Sequence, residues 1–367
     1  MKVSTLSTLP PIKGLSPYTL SLLQELSRNC EIEFYGFKSI YPEFLYPGGT
    51  KTDESQPNFK NVNIHNRLTW YNPFSWIGVG FDIDTKIFHV QWWSWVLSPM
   101  YLVFLSIAKL RGKKIIMTIH NVKPHEKSFV KNFLNDSVIG LADEYIVHNE
   151  NNRKMFLDIH QTKKKVHVIP IGISVIKDSS KSKSNLRKQY GFSADDKILI
   201  FFGNIRDYKG LDVLIKSLSK IKDEKVKLII AGKPWKDFEE YNKIIQEFNL
   251  QSKVRLFLGY NSNEVVSELF VISDVAVFPY KEFEASSAAA ADGISHSKAI
   301  VITNVGGLPD LVKDKNVIAK PNNVEDLADK IIYSLRNINK LEKQSKDIAQ
   351  KFLWKDVAKK TGEVYRR

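Results

Sequence analysis

Lys197-Ile-Leu-Ile-Phe-Phe-Gly-Asn-Ile-Arg-Asp-Tyr-Lys-Gly-Leu-Asp-Val-Leu-Ile-Lys-Ser-Leu-Ser-Lys220 decides the fold of this chain. An unbroken apolar run, Ile198 to Phe202, describes a strand covered on both faces. A turn bracketed by Gly203 and Gly210 follows, and Leu211 to Lys220 has the amphipathic pattern of a helix. A strand feeding a helix through a short loop is half of a βαβ unit. The chain repeats it: Val226-Lys-Leu-Ile-Ile-Ala231, Val254-Arg-Leu-Phe257, Val275-Ala-Val-Phe278 and Ile300-Val-Ile-Thr303 are further strands, with a helix at Asp237 to Phe248. An earlier series consists of a first strand within Met1 to Pro11, then Ile32 to Phe37, Ile87 to Val90, Ile115 to Ile119 and Glu144 to Val147. Two such series in 367 residues predict an α/β protein of two Rossmann-like domains facing a cleft.

The polar segment Ile173 to Gly191 separates the series, with a hinge expected at Pro170 to Ser174 and an exposed loop over Lys177-Asp-Ser-Ser-Lys-Ser-Lys-Ser184. The expected domains are residues 1–172 and 173–349.

One cysteine, Cys30, excludes an intrachain disulfide, and without a CxxC pair or a dense histidine cluster no metal is expected. The N-terminus is too short and polar for a signal peptide, so a cytoplasmic protein is expected. Val90 to Ala108 approaches the length of a membrane span, yet it holds Gln91, three tryptophans and Pro99 and reads as a buried strand plus helix. The net charge is +14, with clusters at Lys109 to Lys114, Lys163 to Lys165 and Lys177 to Lys188. With Trp92 to Ala108 beside them, Lys109, Arg111, Lys113 and Lys114 point to peripheral contact with an anionic membrane on its inner face. No recognition helix or RNA-binding aromatic signature supports a nucleic-acid partner.

The chemistry concentrates in Tyr280-Lys-Glu-Phe-Glu-Ala-Ser-Ser-Ala-Ala-Ala-Ala-Asp292. Small residues opening a helix offer free backbone amides to an anion such as phosphate. Glu284 and Asp292 would repel that phosphate unless they held hydroxyls, so the segment reads as a nucleotide-sugar site. Gly203 to Gly210 lies where a strand hands over to a helix, at the carboxyl edge where α/β sheets bind ligands, which places Arg206 and Lys209 over the cleft.

Glu284-x7-Asp292 resembles the Glu-x7-Glu signature of the retaining glycosyltransferases of family 4, which have the GT-B fold. Thr303-Asn-Val-Gly-Gly-Leu-Pro-Asp310 is similar to the stretch that follows it, and Gly203 to Gly210 looks like the diphosphate loop ending in Lys-Gly. Asp292 stands for the second glutamate, and Asn204 stands where many relatives carry arginine. The resemblance implies that Glu284 binds the donor sugar and Asp292 the ribose. Arg206, Lys209 and a helix N-terminus at Ser286 and Ser287 would neutralise the diphosphate without a metal or other cofactor. It also implies His120, in Thr118-Ile-His-Asn-Val-Lys-Pro-His125, near the donor sugar, His125 on the acceptor side, and Gly14 in the first loop. The C-terminal segment 350–367 would cross back to the first domain.

The expected activity is transfer of a hexose from a nucleoside diphosphate sugar to a glycan or lipid-linked hydroxyl, with retention of configuration by front-face attack. A nucleotide-sugar 2-epimerase of similar fold and a non-enzymatic basic binding protein are the rival readings.

Overall fold

The computed structural model describes residues 1–12, 15–40, 59–122, 129–174, 181–283 and 287–367, so Gly14, His125, Glu284 and Ser286 lie outside the described residues. The chain forms two compact units, Met1–Gly172 with Trp354–Arg367, and Ile173–Leu353.

The first unit is built on β1 (Lys2–Leu6), β2 (Glu31–Ser39), β3 (Val62–Thr69), β4 (Ile87–Trp92), β5 (Lys114–Ile119), β6 (Glu144–Val147) and β7 (Val166–Val168). The second is built on β8 (Lys197–Phe202), β9 (Val226–Gly232), β10 (Val254–Leu258), β11 (Val275–Phe278), β12 (Ala299–Thr303) and β13 (Ile318–Ala319). The strand orders are β3-β2-β1-β4-β5-β6-β7 and β10-β9-β8-β11-β12-β13, and the pairs are parallel. Each sheet reverses direction beside its first strand, between β1 and β4 and between β8 and β11. Chains leaving the two strands at such a point diverge to opposite faces, and the crevice left between them is where doubly wound sheets take ligands.

Alternation along the strands feeds two helical layers. Leu199 and Phe201 enter the cluster with Leu211, Leu214 and Leu218, while Ile198 and Ile200 enter the one with Leu269, Phe270 and Ala290. With side chains worth about 1.5–3 kcal/mol each when fully buried, this double coverage explains why β8 carries no polar residue after Lys197.

The expected buried strand and helix over Val90 to Ala108 are present, and two other readings change. Val90 to Ala108 divides into the end of β4, a 3-10 turn at Trp95–Leu97 and a helix at Ser98–Leu110, whose Met100, Tyr101, Phe104, Leu105 and Ala108 are buried. This stretch is core, so its side chains leave little apolar surface for a membrane. Among the described residues no helix is long and apolar enough to cross one. Of the serine- and lysine-rich segment, residues 177–180 lie outside the described residues, and its end enters a helix: Ser182 caps Lys183–Gln189, and buried Arg187 donates to Asp274 at 2.7 Å and to the Ile272 carbonyl. The edge strands β3, β7 and β13 are additions that the apolar-run reading passes over.

The C-terminal helix Trp354–Arg366 packs on the helix Ser16–Leu26 within the first unit. Trp354 lies 5.2 Å from the Tyr18 ring and covers Gly172, where any Cβ would overlap the indole.

Candidate functional site

The loops leaving β8 and β11, the two strands at the second sheet's reversal, carry Arg206, Lys209 and Ser287, and the helix Ala288–Ser295 that follows carries Asp292. After β8 the chain enters Gly203 at φ +113°, makes a 3-10 turn at Asp207–Lys209 and leaves through Gly210 at φ +68°. Both angles are left-handed values that glycine tolerates without strain. At Gly210 a side chain would also overlap the Pro279 carbonyl, which fixes how closely the two loops approach. Direct bonds join them: Lys281 N donates to the Tyr208 carbonyl at 2.7 Å, and Lys281 pairs with Asp212 at 2.9 Å. At the end of β12, Thr303 Oγ1 donates to the Tyr280 carbonyl at 2.6 Å.

The 3-10 turn presents Lys209 inward, with 8% of its surface exposed. Its Nζ lies against Gly203, where any Cβ would come within 2.9 Å of it, and 5.4 Å from the centre of the Tyr280 ring. Among the described residues this ammonium makes no hydrogen bond or ion pair. Burial lowers its pKa to about 8, aided by the neighbouring Arg206 charge and opposed by Asp292. Asp292 mirrors it, raised to about 7 by burial against the pull of Lys209. Desolvation therefore exceeds mutual attraction on both sides, leaving two opposite charges that are costly in the free protein. Such a pair is suited to a ligand carrying both anionic and hydroxyl groups.

The helix Ala288–Ser295 opens at Ser287, whose Oγ accepts from the Ala290 amide at 3.2 Å and bonds the Tyr280 hydroxyl at 2.9 Å. Its small residues let it approach the sheet: a Cβ at Gly293 would stand 2.8 Å from Ile300 Cδ1.

Arg206 sits differently. Its guanidinium lies 3.9 Å from the centre of the Trp235 ring, beside a cavity of about 280 Å³ that Tyr208, Lys236, Tyr241 and Glu282 also line. Trp235 is a residue that the sequence reading misses. It follows β9, and only the pairing of β9 with β8 brings it to Arg206, where Ile205 and Trp235 bond backbone to backbone.

His120 belongs to the first unit, after β5, and is 8% exposed. His148 Nδ1 donates to the Ile169 carbonyl at 3.1 Å, and its Nε2 lies 3.1 Å from His120 Nδ1. His120 Nε2 meets the Gln91 amide at 2.7 Å, and Gln91 leads on to His89 and the Tyr365 hydroxyl. Burial holds His120 well below the ordinary histidine range and lowers His148 to about 4 and His89 to about 3, so the network is neutral. The structure thus gathers Arg206, Lys209, Ser287 and Asp292 in the second unit and fixes His120, with both ring nitrogens engaged, in the first.

Residues 182–351 match the family described as glycosyl transferases group 1. An uncharacterised glycosyltransferase of Methanocaldococcus jannaschii is 28% identical over 215 residues, 55% of this chain and 54% of that protein, so the match spans about half of this relative's length. The lipopolysaccharide 1,2-N-acetylglucosaminetransferase of Salmonella typhimurium is 20% identical over 353 residues, 92% of this chain and 84% of that one. Among solved structures, HepE of Anabaena in complex with UDP and glucose superposes with a TM-score of 0.76 at 14% identity, covering 100% of this chain and 99% of that one. Residues 182–351 match the glycosyl transferases of group 1, and the chain as a whole carries the GT-B fold.

Proposed function

We propose that the chain transfers a sugar from a nucleoside diphosphate sugar to an acceptor hydroxyl with retention of configuration. The observation that carries this reading is the buried pair at the second sheet's reversal: Lys209, lowered to about 8, opposite Asp292, raised to about 7. As the bond to the diphosphate breaks, negative charge grows on the leaving phosphate. A cation already stripped of water responds to that growth more strongly than a solvated one, so it lowers the barrier more than the ground state. Arg206 and the helix N-terminus at Ser286 and Ser287 share that charge, so the reaction proceeds without a divalent metal. Asp292 accepts from the ribose hydroxyls and Glu284 from those of the donor sugar. Attack occurs from the face the diphosphate leaves, and the departing phosphate oxygen takes the acceptor's proton.

Donor binding is assigned mainly to the second unit and the acceptor to the first, whose His120 and Gly14 are candidates to meet the donor. The UDP and glucose held by HepE and the lipopolysaccharide substrate in the Salmonella enzyme's name support a sugar-nucleotide donor and a membrane-proximal glycan acceptor. The reading assigns the enzyme to the cytoplasm, peripheral to the inner face of the membrane.

The test is a sugar-nucleotide panel assayed with and without lipid-linked and soluble glycan acceptors, in the presence of a chelator. Acceptor-dependent nucleoside diphosphate release, with the donor's anomeric configuration kept in the product, is expected. Conversion of the donor to its epimer without acceptor would make the chain an isomerase instead.

A further inference from the structure

The helix Pro73–Asp82 is packed on one side only. Trp76, Val79 and Gly80 face the first unit's core, and Gly80 lies so close to Ile107 that a Cβ there would come within 2.8 Å of it. Phe74, Ile77 and Phe81 recur at the three- and four-residue spacing of the opposite side and are 82%, 39% and 59% exposed. Trp70 and Tyr71, edge to face at 5.5 Å just before the helix, are 40% and 62% exposed. No charged side chain occurs from Leu68 to Phe81. An uncharged aromatic face of this kind, lying along a helix fixed to a globular unit, has the composition of a segment that rests in the headgroup layer of a bilayer.

Charge decides what covers it. From Arg67 to Lys114 six cations face two carboxylates in the sequence, Asp82 and Asp84. Arg67 pairs with Asp82 and Lys109 with Asp143, and Lys114 pairs with Glu144 at 2.8 Å. Arg111 instead donates to the carbonyls of Phe81 and Ile83 at 2.6 and 2.7 Å, which fastens an uncompensated guanidinium to the C-terminal end of the aromatic face. Exposed Leu110 and the cation Lys113 adjoin it. A second copy would bring the same excess of cations, whereas anionic headgroups complement it.

We infer that the face formed by Trp70, Tyr71, Phe74, Ile77 and Phe81, with Arg111 at its edge, docks the first unit on an anionic lipid bilayer. The inference rests on the proposed transferase reading for the reason an acceptor would be met there, and it moves the membrane contact from Trp92–Ala108 to Trp70–Phe81.

Sedimentation with vesicles of phosphatidylglycerol and phosphatidylcholine, against phosphatidylcholine alone, tests it. Wild type is expected to bind the anionic vesicles at least about tenfold more strongly at low salt. Phe74→Ser/Phe81→Ser, whose side chains leave no core position, should lower that binding at least about tenfold while melting like wild type. Equal binding by the variant, or none by wild type, overturns the assignment. So does a wild-type dimer in the analytical ultracentrifuge that the double variant dissolves, because the face would then join two copies. Transfer to a soluble acceptor without vesicles separates the two readings: activity there with no vesicle binding removes the docking surface and leaves the transferase.

Discussion

Replacing Lys209 by methionine should make the protein more stable and nearly inactive at once. Burial takes this ammonium from 10.5 in an ordinary lysine to about 8. At roughly 1.4 kcal/mol per pKa unit, the fold therefore carries about 3 kcal/mol against the charged form at pH 7. Because the folded pKa lies below the unfolded one, that cost is full below about pH 8 and fades as pH rises toward 10.5, above which both states hold a neutral amine. Methionine keeps the length and discards the charge. Its drawback falls on Asp292, which loses the attraction of Lys209 and already stands at about 7, so in the variant it takes up a proton near neutrality. The expected net gain is about 1–3 kcal/mol at pH 7, or roughly 2–4 °C of melting temperature per kcal/mol for a unit of this size. It should shrink toward zero at pH 10. Turnover should fall roughly a hundredfold or more, the scale for one lost charge-stabilising group. Melting curves at pH 7 and 10 beside a transfer assay decide the matter. A variant less stable than wild type at pH 7, or a gain that does not change with pH, refutes the desolvation argument. Wild-type turnover refutes the diphosphate role.

Asp292→Asn should weaken binding of the bare nucleoside diphosphate as well as of the full donor; calorimetry finding wild-type affinity for the nucleotide would remove the ribose assignment. Trp235→Ala should lower turnover by about an order of magnitude by withdrawing the face under Arg206, and Trp235→Phe should restore most of it; equal rates in all three proteins would show that the stack positions nothing. Binding of a nucleoside diphosphate at pH 8–9 should take up protons, since the anion returns Lys209 toward its charged form; titration in two buffers of different ionisation enthalpy measures it, and no buffer dependence would contradict it. Gly210→Ala should cost more than about 1–2 kcal/mol, because a left-handed φ and the Pro279 carbonyl both oppose the methyl group; an unchanged melting temperature would mean that the loops yield.

The central strands were legible because burial on both faces leaves uninterrupted apolar runs, as in Lys197–Phe202 and Val275–Phe278. β3, with the sequence Val-Asn-Ile-His-Asn-Arg-Leu-Thr, lies at a sheet edge and is half solvated, so no such run marks it. The helix at Lys183–Gln189 was hidden for a related reason: it is held by one buried arginine reaching Asp274, a contact that hydropathy does not register. At the site, Lys209 and Asp292 could be found from their places after a strand and within a small-residue helix. Trp235 could not, since its partner Arg206 is reached through strand pairing and not through any local spacing. The same holds for the aromatic face: the sequence offers both Trp70–Phe81 and Trp92–Ala108, and only packing reveals which of them is turned outward.

The bond between the loops after β8 and β11, from Lys281 N to the Tyr208 carbonyl, and the one from the Tyr280 hydroxyl to Ser287 Oγ tie the lysine turn to the opening of the aspartate helix. Together the two act as a fixed-jaw gauge. On the proposed reading, a donor would be measured by the span between its phosphate end and its ribose end, and a leaving group one phosphate shorter would reach only one jaw. Selection for a diphosphate would then rest on loop-to-loop bonds that no substitution at Lys209 or Asp292 removes, while the choice of sugar would be left to residues outside the jaws and could change without re-forming them.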